Sequence, residues 1–90
     1  MTFIVNFVQD FIWQCRQRLA MRAARPYFLE RLASIPGKDG EITRGSHGED
    51  YFFPVHVDRL EEAGLAVADL SLEVSIRFGV RLSALPVYHD

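Results

Sequence analysis

The run Leu70–Ser83, LSLEVSIRFGVRLS, constrains this chain more than any other stretch. Leu70, Leu72, Val74, Ile76, Phe78, Val80 and Leu82 fall at every second position, with Ser71, Glu73, Ser75, Arg77, Arg81 and Ser83 between them. Side chains alternate faces along a strand, so the spacing predicts an extended element over residues 70–82 with one apolar face. Such an element would reach about 43 Å, while a domain of this length should be about 25–30 Å across. The ribbon must therefore bend, break or project, and Gly79 is the natural bend. A strand that outruns its neighbours leaves a backbone edge open to pairing with another chain.

The segments before the ribbon have other periods. Ile4, Val8, Phe11, Ile12, Cys15 and Leu19 recur at spacings of three and four, which predicts a helix with a core-facing stripe. Phe7 lies at the edge of that arc, and Arg22 would enter it, so the stripe ends near Leu19 or Ala20. Trp13 falls away from the stripe and is a contact candidate. Pro26 predicts a break near Ala24–Arg25 and a second helix to about Ser34, packed by Tyr27, Phe28, Leu32 and Ile35. Pro36-Gly37 ends it. Residues 41–44 and 51–57, joined by the polar loop GSHGED, read as a hairpin, with Pro54 marking an edge or a bend. Asp58 is placed to cap a short helix, Arg59–Ala63, with Glu61 completing a capping box and Gly64 stopping it.

The expected architecture is a single α+β domain over residues 1–90, with a helical part at about 4–35 and a sheet part at about 41–88. One or two N-terminal helices would pack on a small three-stranded, mainly antiparallel sheet with a long C-terminal strand. Ninety residues support one modest core. No apolar run approaches the ~18 residues of a membrane span. The apolar start has no basic residues ahead of it, the reverse of a secretory signal. A soluble, cytoplasmic chain is expected, and the single cysteine, Cys15, rules out an internal disulfide.

Little points to catalysis. His47, His56 and His89 show no metal-ligand spacing, and His47 sits in a glycine-flanked polar loop. Cys15, on the apolar arc, is expected to be a buried small hydrophobe. GKDGEITRGSHG lacks the spacing of a phosphate loop. Glu61 and Glu62 diverge on a helix. No metal, cofactor or small-molecule ligand is therefore expected, and the chain is read as non-enzymatic.

Charge is unevenly placed. Arg16, Arg18, Arg22, Arg25, Arg31 and Lys38 face only Asp10 and Glu30 in the first 38 residues, while the remainder is acidic. Trp and Arg are enriched at binding hot spots. The expected partner surface comprises Trp13, Arg16, Arg18, Arg22 and Arg25 on the helix, with Glu73, Arg77 and Arg81 on the ribbon. The function read from these features is a protein–protein interaction or assembly module: a homo-oligomer subunit, an adaptor or a small inhibitor.

The alternative is nucleic-acid binding. VDRLEEAGLAV, Val57–Val67, resembles the end of the recognition helix and the entry to the wing in winged-helix regulators. The resemblance implies that a helix before the wing contacts nucleic acid. Pro54, the loop GSHGED and the acids Asp58, Glu61 and Glu62 depart from that pattern, and phosphate contacts need bases. An Arg-rich N-terminal helix with Trp13 offers a second route to the same function.

Overall fold

The computed structural model describes residues 2–46 and 50–90, with side chains from residue 8 onward. Helix α1 spans Thr2–Leu32, strand β1 Thr43–Arg44, strand β2 Asp50–His56, helix α2 Leu60–Phe78 and strand β3 Ser83–His89. A 3-10 turn, Val57–Arg59, precedes α2. The fold is α+β: two helices and a three-stranded mixed sheet that ends in a C-terminal strand.

The sheet order is β1-β2-β3. Strand β1 pairs antiparallel with β2, Thr43 opposite Phe52 and Arg44 opposite Tyr51, which is the expected hairpin. Strand β3 pairs with β2 in parallel, from Asp50 opposite Ser83 to His56 opposite His89. A tight turn cannot join parallel neighbours, so the chain needs a crossover of a dozen or more residues. Helix α2 is that crossover.

Residues 70–78 are therefore helical, and the ribbon expected over 70–82 is not a strand. Ala63, Val67, Leu70 and Val74, at spacings of four, three and four, form one face of α2, and all are buried. Leu72 and Ile76, which complete the alternation in the sequence, lie on the opposite face and are exposed. The alternation was a true helical stripe overlaid with two solvent-facing apolar residues. Gly64 does not stop the helix. Gly79 does: its φ of 72° is left-handed and its N–H donates to the Ser75 carbonyl at 2.9 Å. Nor does Asp58 cap the entry; the His56 Nδ1 accepts from the Asp58 N–H at 3.2 Å, and the helix starts one 3-10 turn later.

Helix α1 also runs unbroken through Pro26, where a break was expected. Proline removes one N–H and crowds one carbonyl, that of Arg22. Pro26 lies on the exposed face, where water can take up the freed carbonyl. At 1.5 Å per residue α1 is about 46 Å long, and the molecule measures 60 × 24 × 18 Å.

The core lies between the helices and one face of the sheet. Phe28 and Leu32 of α1, Phe53 and Val55 of β2, and Val74 of α2 are almost fully buried, with Leu82 closing one end. The Phe28 and Tyr51 rings meet at 5.8 Å. Strand β2 is central, so Pro54 does not sit on an edge strand. The Pro54 carbonyl accepts from the Asp39 N–H at 2.9 Å, on the β1 side. A residue's N–H and C=O point to the same flank of a strand, so the missing N–H removes nothing from the β2–β3 ladder.

Candidate interaction surfaces

The first buried residue of α1 is Ala24. Ala20 and Met21 are partly buried against the core, and the helix described before them projects beyond the packed body. Val8, Phe11, Ile12 and Leu19, read in the sequence as core, are 46–63% exposed. Cys15, expected to be buried, is only half-buried. The side chains of Ile4 and Phe7 lie outside the described residues.

The reason is geometric. At about 100° per residue, the arc through 8, 11, 12, 15 and 19 lies about 150° around the cylinder from the arc through 24, 28 and 32. One continuous helix thus carries two apolar stripes on opposite sides. Only the second meets the sheet. The entry of Arg22 into the first arc was the sequence signal of this change of face.

Trp13 is 63% exposed and lies away from the first stripe. With Gln17, Met21, Arg18, Arg22, Arg25 and Pro26 it lines a shallow groove along α1. The structure therefore brings Trp13, Arg18, Arg22 and Arg25 together. Arg16 is exposed on another side of the helix. None of these four arginines makes an ion pair among the described residues. The Arg25 Nε is buried with no hydrogen-bond partner among them.

Glu73 and Arg77 are occupied within the chain. The Tyr27 hydroxyl donates to Glu73 Oε2 at 3.0 Å and accepts from Arg77 Nη1 at 3.2 Å. Arg31 pairs with Glu73 at 3.7 Å. The Arg77 guanidinium stacks over the Tyr27 ring, 4.8 Å from its centroid, and Phe78 packs against the same ring at 5.4 Å. These groups fasten α2 to α1. Arg81 lies exposed between α2 and β3.

Two more apolar surfaces are uncovered. On α2, Leu65, Leu72 and Ile76 share the face opposite the core, and Ile76 is 77% exposed. On the sheet, register places Phe52 and Pro54 of β2 beside Leu85 and Val87 of β3 on the face away from the helices. Leu85 and Val87 are at least half exposed. Strand β3 has no neighbour on its outer flank among the described residues. Strands apolar on both faces belong to sheets covered on both faces, and this sheet is covered on one. Monomeric proteins rarely expose contiguous apolar patches beyond a few hundred Å² unless the patch binds something.

At the far end of the sheet, His89 Nε2 and Asp39 Oδ2 are 2.8 Å apart, and the His56 and His89 rings meet edge-on at 5.8 Å. Among the described residues, no group of three or more His, Cys, Asp or Glu is placed to hold a metal ion. No helix among the described residues is long and apolar enough to cross a membrane. His47 lies outside the described residues. Comparison with protein families, curated proteins and solved structures finds no match.

Proposed function

We propose that this chain is a non-enzymatic protein–protein interaction and assembly module acting in the cytoplasm. One observation carries the reading: the stripe Val8–Phe11–Ile12–Leu19 projects past the body and faces away from the chain's own core. Solvent contact of that area is unfavourable by about 25 cal/mol per Å², and a partner relieves it. The bare sheet face and the open flank of β3 support the same reading, since an edge strand accepts another chain by backbone pairing. A single unpaired thiol suits a reducing compartment.

Capture of binding proteins from native lysate by the tagged chain tests this. The double variants Phe11→Asp/Ile12→Asp and Leu85→Ser/Val87→Ser serve as comparisons. Proteins retained by the wild type, including untagged copies of the chain, should be lost with at least one variant. Identical retention by all three, or nothing retained above blank resin, refutes the reading.

A second reading, nucleic-acid binding, is favoured by the alignment of Arg18, Arg22 and Arg25 along one groove with Trp13. Phosphate contacts would make affinity fall steeply with salt. A salt series on a fluorescent oligonucleotide separates the two readings.

A further inference from the structure

We propose that the partner of the projecting stripe is a second copy of this chain, its α1 packed antiparallel across a two-fold axis between Phe11 and Ile12. The inference rests on the interaction reading above and names its occupant.

The stripe positions 4, 8, 11, 12, 15 and 19 are separated by four, three, one, three and four, a spacing that is the same in both directions. An isologous interface requires that symmetry, because each patch must complement itself. Antiparallel alignment sets Phe11 against the partner's Ile12, Val8 against the partner's Cys15, and position 4 against the partner's Leu19. The stripe faces away from the body and ends at Leu19, immediately before Ala20 and Met21, where packing against the core begins. The two bodies then sit at opposite ends of the helix pair, each beginning about 13 Å along the axis from the crossing point.

Charge selects the direction. Between Val8 and Cys15 the only charged residue is Asp10. In a parallel pair, Arg16, Arg18 and Arg22 would each lie beside their own copies. In the antiparallel pair the two Arg16 positions are about 13 Å apart along the axis, and the Arg18 and Arg22 pairs lie farther apart still. That exceeds a Debye length of ~8 Å at physiological salt, so the repulsion is screened. Trp13 lies on the opposite side of the helix and stays solvated in the pair.

With flanking residues, the helices bury on the order of 1,000 Å² in total, at the foot of the range for specific interfaces. Area does not fix affinity, and dissociation in the micromolar range is the expectation that sedimentation reads.

The test combines sedimentation with disulfide trapping on the full chain. Wild-type protein should pass from monomer to dimer as concentration rises to about 200 µM, as expected for a small interface. Phe11→Asp should raise the dissociation constant by more than about 100-fold, since the residue sits at the centre of the interface. Val8→Cys, with Cys15 retained, should oxidise to a covalent dimer. Wild type should not: two Cys15 residues lie about 10 Å apart along the axis in this register, beyond the ~6.8 Å Cα separation that a disulfide bridges. Rapid Cys15–Cys15 linkage in the wild type would show a parallel pair and overturn the proposal. A wild type that stays monomeric overturns it as well. In that case, loss of lysate partners by the Phe11→Asp/Ile12→Asp variant leaves the broader interaction reading standing, and unchanged capture removes both. Sedimentation of the monomer with phosphatidylglycerol vesicles would assign the stripe to lipid and likewise overturn it.

Discussion

Two glycines of α2 should respond to alanine with opposite signs, and the pair tests the helical crossover directly. Gly64 lies inside the helix, and a Cβ added there meets nothing within 4 Å. Interior glycine is less favourable than alanine by about 0.8–1.0 kcal/mol, mostly through the backbone freedom it loses on folding. Gly64→Ala should therefore stabilise the domain by roughly 1 kcal/mol. Gly79 has equally open surroundings, but its φ is 72°. A residue with a Cβ in that region costs roughly 1–2 kcal/mol, so Gly79→Ala should destabilise by about that amount with no steric clash to confuse the result. For a domain this size, 1 kcal/mol moves the melting temperature by about 4–8 °C. Thermal unfolding followed by circular dichroism, at one fixed protein concentration, reads both shifts. Destabilisation by Gly64→Ala, or a neutral Gly79→Ala, would refute the helix over 60–78 and its left-handed stop. A strand bulged at Gly79 would give no reason for Gly64→Ala to stabilise.

Other expectations concern the core and the helix–helix clamp. Phe28→Ala removes a fully buried ring against Tyr51 and should cost about 3–5 kcal/mol, visible as a large fall in the urea midpoint. Tyr27→Phe leaves Glu73 and Arg77 without their shared hydroxyl. A loss near 1 kcal/mol should follow, because the group is only partly buried. Asp39→Asn weakens an exposed contact to His89 and should change stability by less than about 1 kcal/mol. Its effect should appear as faster hydrogen exchange at the end of β3. Phe11→Asp should leave the intrinsic stability of the body unchanged, measured at a concentration low enough to keep the wild type monomeric, since Phe11 is 60% exposed.

Much of the helix and hairpin content was legible because its signals are local. The spacing of Phe28 and Leu32, the aromatic run Tyr51–Val55 and the punctuation around Gly37 point to the elements found. The crossover was illegible for a specific reason. Leu70 and Val74 fit both a period of two and a helical period, and Gly64 hid Ala63 and Val67, which would have settled the choice. The parallel pairing of β2 with β3 joins residues more than thirty positions apart, which no local window contains. The candidate surface was half legible. The stripe on α1 was visible, but a stripe does not say what covers it. Only the placement of Ala24 as the first buried residue turns an expected core into an exposed face. In the sequence Glu73 and Arg77 read as ribbon charges; their role in holding Tyr27 follows from helix packing that the sequence does not reveal.

The proline within α1 has a mechanical consequence. Pro26 sits between Ala24 and Phe28, where the helix enters the body. One rung of the helical ladder is missing there, and rungs are what resist bending. Along its axis the arm stays stiff, because the other backbone bonds carry the load. Sideways, compliance concentrates inside the packed stretch, where Ala20 and Met21 on one side and Phe28 on the other oppose it. Whatever grips the arm is held at a fixed reach, and tilting of the body about Pro26 would require the Ala20 and Met21 contacts to loosen.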